Sequence, residues 1–257
     1  MCAAANESRF IILQSTTTTQ NSGLLDYILP IFEKETGIEV RVVAVGTGQA
    51  LRNAENGDGD VLLVHARELE DAFVDAGHGV ERLDVMYNDF VIVGPPSDPA
   101  AVKGLSDAVV ALNTIASSKS AFVSRGDGSG THAAEMRLWR ETAVDTEGAS
   151  GTWYRETGAG MGTTLNIAVN MNAYALTDRG TWLNFQAKGD HGVLVEGDER
   201  LFNPYGVILV NPQRHPAVKA ELGQNFIDWL VSDDGQGAIA AFQIDGQQPF
   251  FPNAAPQ

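Results

Sequence analysis

The chain has 257 residues and a formal net charge of −16. This length suits one large domain or two smaller lobes with a real hydrophobic core. The acidic balance argues against a nucleic-acid partner, because phosphates require a basic face that the sequence does not offer. It does not exclude a small anion, since recognition in a cleft depends on local donors and salt screens long-range repulsion. No apolar run approaches the length that spans a bilayer.

Cys2 is the only cysteine, so no intramolecular disulfide can form. It precedes a small and polar stretch that differs from the apolar chain beginning at Phe10. A lipid-modified first cysteine followed by a short tether is typical of mature bacterial lipoproteins, with Met1 then an added start residue. We therefore expect a lipid anchor at Cys2 and a flexible tether over residues 1–9. A chance cysteine at a frayed terminus is the alternative.

The first third of the chain alternates strand and helix patterns. Strands are predicted at 10–13, 40–45 and 61–64, and helices at 24–35, 49–56 and 68–76. Such an alternation predicts a parallel sheet. The apolar run from Phe90 to Val93 is followed by Gly94-Pro95-Pro96, which ends this first unit because a proline pair ends a strand.

A second unit with the same alternation follows. Helical patterns occur at 106–117, 131–142 and 163–171, and strand patterns at 121–124 and 193–196. A further strand at 205–210 and two helices at 217–230 and 235–242 finish the chain. This order indicates that the second lobe is inserted into the first, so we expect two connecting segments between the lobes, near 90–95 and 204–210. We expect an α/β fold with lobe 1 at residues 10–92 plus 206–257 and lobe 2 at residues 93–205.

Three turns between a predicted strand and a predicted helix are rich in hydrogen-bond donors. They are the threonine run Thr16 to Thr19, Gly46-Thr47-Gly48, and the stretch from Ser124 to Thr131 that contains Arg125 and Ser129. A helix begins with unpaired N–H groups and a partial positive charge, which together favour a bound anion. The repetition of this pattern indicates one shared anion site.

Each turn also has a structural alternative. The threonines could cap a helix, although a cap needs one hydroxyl; β-branching favours an extended entry that turns several hydroxyls toward a cleft. The glycines beside Thr47 could form a simple tight turn, and the residues alone leave this alternative open. Arg125 could form a surface ion pair with Asp127. Its place directly after a short strand instead favours a bidentate contact with an oxyanion.

The remaining candidates have weaker patterns. Thr163 opens another predicted helix and is a further possible donor. Asp89 and Asp178 are assigned to caps or structural bonds, because an ionised carboxylate would repel an oxyanion. The histidines lack metal-ligand spacing, so no cation site is predicted. Ser129 does not fit a nucleophile elbow, and no glycine stretch ends in Gly-Lys-Ser/Thr, so we predict neither an enzyme nor a cofactor.

Several phrases of the sequence resemble the tungstate-binding, TupA-type solute-binding proteins of ABC importers. The matching phrases lie at 16–25, 44–51, 60–66, 86–95, 124–127, 129–132, 176–181 and 202–207, and the resemblance extends from residue 15 to about residue 252. In the family the hydroxyl run usually has serine at the position of Thr18. Thr18 keeps the hydroxyl and adds a methyl group, which bears on the size of the cavity.

The resemblance implies a type II periplasmic binding protein, in which a two-segment hinge joins two α/β lobes and the ligand cleft lies between them. It implies an extracytoplasmic, monomeric receptor that captures tungstate, or molybdate, for an ABC permease and meets the membrane only through a lipid on Cys2. A phosphate or sulfate receptor of the same fold, or an enzyme acting on a phosphorylated substrate, is the alternative. The residues expected to bind the oxyanion are Thr16, Thr17, Thr18, Thr47, Ser124, Arg125, Ser129, Thr131 and Thr163.

Overall fold

The computed structural model describes residues 9–255, which form two compact units. Unit 1 contains the described residues up to Tyr87 and those from Pro204 onward, and unit 2 runs from Asn88 to Asn203. The expected lipid anchor at Cys2 lies outside the described residues. Among the residues that are described, none of the helices is both long and apolar enough to cross a membrane.

The elements of both units follow one another in chain order. They are β1 (Phe10–Thr16), α1 (Thr17–Asn21), α2 (Leu24–Thr36), β2 (Glu39–Val45), α3 (Thr47–Glu55), β3 (Val61–Val64), α4 (Arg67–Asp75), β4 (Gly79–Gly94), α5 (Ala108–Ser117), β5 (Phe122–Ser124), α6 (Gly130–Glu141), α7 (Thr146–Ala149), β6 (Tyr154–Glu156), α8 (Met161–Met171), β7 (Ala175–Asp178), α9 (Arg179–Asn184), β8 (Gly192–Val195), a 3₁₀ turn (Glu199–Leu201), β9 (Phe202–Val210), α10 (Ala220–Val231), α11 (Asp233–Ala241) and β10 (Phe251–Pro252).

Unit 1 is a mixed sheet with the strand order β10-β4-β9-β3-β1-β2. β1 is parallel to both β2 and β3, which confirms the parallel arrangement predicted for the first three strands. β3 pairs with β9 in the antiparallel sense, so the returning chain enters the sheet as an internal strand. Buried apolar residues of α2 and α10, among them Phe32 and Phe226, form a core with these strands. The carboxyl ends of β1 and β2 each lead directly into a helix.

Unit 2 is built on the second half of β4, which pairs antiparallel with β7 and β8. β5 is parallel to β6, and Phe122 of β5 also bridges Tyr174, just before β7, in the parallel sense. Aromatic rings of Phe122, Trp139 and Tyr154 pack together in the core of this unit. β5 and β7 therefore advance side by side and end at the same edge of the unit.

The chain passes from unit 1 to unit 2 within β4 and returns at the start of β9. Next to these passages, inside unit 2, the buried side chains of Asn88 and Asn203 meet, and Asn203 Nδ2 donates to Asn88 Oδ1 at 2.7 Å. β4 begins at Gly79, although the apolar pattern alone placed a strand only from Phe90. Charged residues such as Arg82 and Asp84 interrupt the apolar pattern over its first half and conceal the strand.

Candidate functional site

The first candidate residues lie in unit 1, where β1 ends and α1 begins. Thr16 is extended and caps α1, since its Oγ1 accepts a hydrogen bond from Thr19 N at 3.1 Å. The same Oγ1 lies 2.8 Å from Thr19 Oγ1 and 3.1 Å from His65 Nε2. The expectation of an extended threonine run is therefore wrong beyond Thr16, because this cap starts the helix at Thr17. The hydroxyl of Thr16 is fully engaged within the protein.

The other candidate threonines of unit 1 have hydroxyls without a partner among residues 9–255. Thr18 and Thr47 are 6% and 5% exposed, whereas Thr17 is exposed. Thr47 is the first residue of α3, and the N-cap Gly46 offers no side-chain cap. The amides of the first turn of a helix have no intrahelical acceptor. Hydroxyls beside such amides on largely buried residues form a set of donors that a ligand or water can use.

The glycines beside Thr47 do not form a turn that requires glycine. Gly46 has φ −68° and ψ 148°, which any residue can adopt, and a Cβ built on it would meet no atom within 4 Å. The structural alternative of a tight turn with positive φ is therefore unsupported. The absence of side chains here leaves open space over the start of α3, as close approach of a ligand to backbone N–H groups requires.

Arg125 lies in unit 2 directly after β5 and is 6% exposed. Its Nε and Nη2 donate to Asp127 Oδ2 at 3.1 and 2.5 Å. The ion pair considered from the sequence thus exists, but the guanidinium is buried and the pair is not a surface feature. Nη1 makes no hydrogen bond to any described residue, so one edge of the guanidinium is left for another acceptor.

Asp127 is committed to its own unit on both oxygens. Oδ1 accepts from Ser129 N at 3.1 Å, while Oδ2 accepts from Arg125. Burial opposes ionisation of Asp127, but hydrogen bonds from Ser129 and Arg125 outweigh it and hold the pKa of the carboxyl below its usual range. Asp127 is therefore an ionised acceptor that already accepts hydrogen bonds on both oxygens, and it fixes the orientation of Arg125.

The start of α6 contributes Ser129 and Thr131. Ser129 is the N-cap, and its Oγ accepts from His132 N at 3.3 Å. Thr131 is 1% exposed, and its Oγ1 has no hydrogen-bond partner among the described residues. Ser124 is fully buried, and its Oγ accepts from Gly126 N at 3.3 Å. Of these three hydroxyls, that of Thr131 has no hydrogen-bond partner among the described residues.

Thr163 lies in the first turn of α8 and is exposed. Its hydroxyl has no partner within the described part of the chain, and the N-cap Gly160 provides no side-chain cap. The neighbouring Thr164 is buried instead and hydrogen-bonds Thr157 Oγ1 at 2.9 Å. Both α3 and α8 therefore have a glycine N-cap and a threonine in the first turn, Thr47 as the first residue of α3 and Thr163 as the third residue of α8.

A buried acid behind Ser124 was missed by the sequence reasoning. Glu135 of α6 accepts from Trp139 Nε1 at 3.0 Å and from Tyr154 Oη at 2.8 Å. Burial raises the pKa of Glu135 to about 7, although hydrogen bonds from Tyr154, Ser124 and Trp139 lower it. No local pattern signals this group, because Tyr154 lies on β6 and meets α6 only in the folded unit. His65 was also missed, because its contact with Thr16 Oγ1 joins two residues that are distant in sequence.

The chemistry available at these positions is that of anion binding. Unit 1 offers neutral hydroxyls at helix starts, and unit 2 offers similar hydroxyls plus a buried guanidinium. Within residues 9–255, no group of three or more His, Cys, Asp or Glu side chains is arranged to hold a metal cation. Fixed N–H and O–H donors suit a tetrahedral oxyanion, whose oxygens are acceptors only. In unit 2 the guanidinium of Arg125 adds a charged donor, since Asp127 engages only its Nε and Nη2.

Known proteins are similar to this chain in sequence and in fold. The model of the PBP superfamily domain matches residues 3–234. The tungstate-binding protein TupA of Peptoclostridium acidaminophilum is 49% identical over 95% of this chain and 86% of its own length.

Solved structures agree. The tungstate-binding protein TupA from Desulfovibrio alaskensis G20 has a TM-score of 0.87 and 47% identity, covering 96% of this chain and 100% of that one. The tungstate ABC transporter structure from Geobacter sulfurreducens has a TM-score of 0.84 and 48% identity, covering 92% of this chain and 100% of that one. The two-lobe α/β fold and the resemblance found in the sequence are confirmed. This chain belongs to the PBP superfamily and, within it, to the family of TupA-type tungstate-binding proteins.

Proposed function

We propose that this protein is a solute-binding receptor that captures tungstate, and also molybdate, for an ABC importer, without catalysing a reaction. The observation that carries the proposal is the buried guanidinium of Arg125, which keeps Nη1 free while Asp127 holds Nε and Nη2. Membership in a family whose relatives are named tungstate-binding proteins supports the choice of ligand. A guanidinium held in a largely buried position with one N–H edge unused is suited to an incoming acceptor.

The nine candidate residues take different parts in this proposal. Thr18, Thr47, Thr131 and Arg125 donate to the oxyanion, since each is buried and has a donor without a protein partner. Thr17 and Thr163 are exposed donors in the first turns of their helices. Thr16, Ser124 and Ser129 act indirectly, because their hydroxyls accept hydrogen bonds that shape the turns and also interact with other side chains of the protein.

The donor set also favours one group of anions over another. Phosphate near neutral pH keeps a proton and is best recognised where a carboxylate accepts it, whereas tungstate, molybdate and sulfate are dianions that need donors only. The carboxylate nearest to Arg125 in sequence is Asp127, whose two oxygens are already occupied. Sulfate has the charge of tungstate but is smaller, so donors set for the larger ion lie too far away. We expect tungstate at least as tight as molybdate, both ahead of sulfate, and phosphate weakest.

Calorimetric titration with these four anions tests the proposal. Tungstate should bind with a defined stoichiometry and raise the melting temperature, because a ligand that binds only the native state stabilises it. The competition arm adds phosphate to the tungstate complex and should displace nothing at comparable concentration. Failure of all four anions to bind would refute the receptor function, and displacement by phosphate would refute the order.

We further propose that the receptor is a monomer, works outside the cytoplasmic membrane and is anchored through Cys2. Relatives named as parts of ABC transporters support an extracytoplasmic place and a permease partner. Membrane fractionation of cells expressing the secreted form, with Cys2→Ser as the control, tests the anchor. The parent should sediment with membranes and the variant should not. Equal distribution of the two would reject the anchor.

A further inference from the structure

Unit 2 contains three deeply buried oxygen atoms that have no hydrogen-bond partner among the described residues. They are Thr131 Oγ1, Asp178 Oδ2 and Thr181 Oγ1. Thr131 is on α6, Asp178 ends β7, and Thr181 is on α9. Nearly all buried polar atoms in proteins are paired, and each unpaired one costs free energy. Three such atoms in unit 2, none paired within residues 9–255, favour a partner that the described residues do not supply.

The backbone places Asp178 at the same edge of unit 2 as Arg125, and α6 packs against the strand that ends in Asp178. Val123 N donates to Tyr174 O at 2.8 Å, so the strand leading to Asp178 runs beside β5. Because the two segments are parallel, Arg125 and Asp178 lie at the same edge of the unit. α6, which carries Thr131, packs against β7. The electrostatic attraction of Arg125 reaches Asp178.

One oxygen of Asp178 is explained by local structure and the other is not. Oδ1 caps α9 by accepting from Thr181 N at 2.8 Å, as expected from the sequence for a structural carboxylate. Oδ2 is equally buried and accepts nothing in the described chain. Burial raises the pKa of Asp178, although hydrogen bonds from the hydroxyl and amide of Thr181 lower it.

The charged groups around Asp178 leave only a weak counter-charge. Arg125, from the turn after β5, already pairs with Asp127. Arg179, the next residue on α9, contacts Asp89 of β4 and Glu196 at 2.6 Å each. Glu135 of α6 faces Tyr154 and Trp139. Each of these two described cations is thus already paired with another carboxylate and offsets a negative charge on Asp178 only in part.

We propose that Asp178 is a positioning and specificity residue of the oxyanion site, and that the protein takes up one proton on Asp178 when it binds a dianion. This inference rests on the proposed function. The protonated carboxyl donates through Oδ2 and joins Thr131, Thr181 and Arg125 as a neutral donor. The proton comes from solvent and returns to solvent when the anion leaves. An ionised Asp178 would instead repel the ligand, so binding weakens as the pH rises.

Calorimetric titration with sodium tungstate between about pH 6.5 and 9 tests this coupling, since each pH unit above the pKa of Asp178 should weaken binding by up to tenfold. Asp178→Asn keeps an acceptor for the cap and a neutral donor at the second position. We expect its affinity to be independent of pH and, at high pH, tighter than that of the parent. Asp107→Asn, which changes the exposed N-cap of α5, should keep the pH profile of the parent.

Two further measurements keep the test decisive. Glu135→Gln should retain the pH profile, because Glu135 is turned toward Tyr154; loss of the profile in this variant would assign the proton to Glu135 and overturn the inference. If Asp178→Asn does not fold, titrations of the parent in two buffers of different ionisation enthalpy count the protons directly. Zero uptake, or a profile that persists in Asp178→Asn, overturns the inference alone. Absence of tungstate binding at every pH overturns the proposed function with it.

Discussion

The helix starts of unit 1 and the Arg125 turn of unit 2 present donors in different ways. In unit 1 the donors are neutral hydroxyls, and the largely buried Thr18 and Thr47 have hydroxyls that no residue of the described range 9–255 engages. In unit 2 a buried guanidinium supplies charge, and Asp127 holds it in place from one side. Neutral donors select an anion by position, whereas a charged donor in a dry environment supplies more of the free energy of binding. The comparison predicts unequal losses when the two sets are mutated.

The largest effect is expected for Arg125→Ala, which should weaken tungstate binding by about 2–5 kcal/mol, the range for removing a buried hydrogen-bonded charge partner. Arg125→Lys should recover part of the loss, because it restores charge without the planar fork. Arg155→Ala, on the exposed face of the neighbouring β6, is the matched control and should bind like the parent. Titration calorimetry measures all three. If Arg125→Ala binds tungstate as tightly as the parent, the charge of Arg125 does not contribute to binding.

The next effect concerns Glu135, which lies behind the unit 2 turn. Its pKa rises from 4.5 to about 7 on folding, so the native state holds the proton more tightly than the unfolded chain. Stability is therefore lost as the pH rises from about 4.5 to about 7, by roughly 3 kcal/mol in total, and is level above that range. Glu135→Gln should remove this loss and be more stable than the parent at about pH 8.

Denaturant unfolding of parent and variant at about pH 5 and about pH 8 measures the difference. Glu147→Gln on α7 controls for the loss of one negative charge. At each pH, the difference between the free energies of unfolding of the parent and Glu135→Gln separates the contribution of Glu135 from those of the other titrating groups. If parent and Glu135→Gln change equally with pH, Glu135 is ionised in the native state and the pKa shift is absent.

Thr47→Val in unit 1 should weaken tungstate binding by about 1.5–3 kcal/mol, as expected for one hydrogen bond to a charged group. Its stability without ligand should not fall, because the deleted hydroxyl has no protein partner. Thr19→Val is the opposite case, since that hydroxyl bonds Thr16, and it should lose stability. Thermal unfolding with and without tungstate separates the two. A Thr47→Val protein that binds normally would place α3 outside the site.

The smallest effect compares two serine caps of equal geometry. Ser129 Oγ accepts from His132 N and Ser232 Oγ accepts from Gly235 N, both at 3.3 Å. Replacing either by alanine should cost about 0.5–2 kcal/mol of stability. Only Ser129→Ala should also weaken tungstate binding, because the Ser129 side chain, in addition to its amide, hydrogen-bonds the Asp127 carboxylate that orients Arg125. Equal affinities for the two variants would show that this cap does not contribute to binding.

Sequence patterns predicted much of the fold, because the order of strands and helices and the spacing of apolar residues are visible in short stretches of sequence. The parallel start of unit 1 followed from apolar runs separated by amphipathic helices. The Arg125 turn was found because a short apolar strand ends there in donors. β7 and α9 were missed, since Ala175–Asp178 is short and buried on all sides and therefore shows no alternation.

Polar residues inside the protein could not be placed from local pattern. Arg82 interrupts the apolar pattern of β4, yet its side chain is 5% exposed and pairs with the buried Glu70 at 2.6 Å. Such a pair becomes visible only when β4 and α4 meet. The unpartnered oxygen of Asp178 is a similar case, because its sequence context predicted a cap and only the packed unit shows that one oxygen remains unused.

The internal position of β9 in unit 1 has a consequence for how the chain acquires its fold. β9 lies between β4 and β3, but residues 95–201 separate it in sequence from β4. Unit 1 therefore cannot complete its sheet until all of unit 2 has been synthesised or translocated, whereas unit 2 is continuous. The entropy of closing this long loop grows only slowly with its length, but distant contacts slow the search. Unit 2 should gain protection from hydrogen exchange first during refolding, with β3 and β9 becoming protected together afterwards.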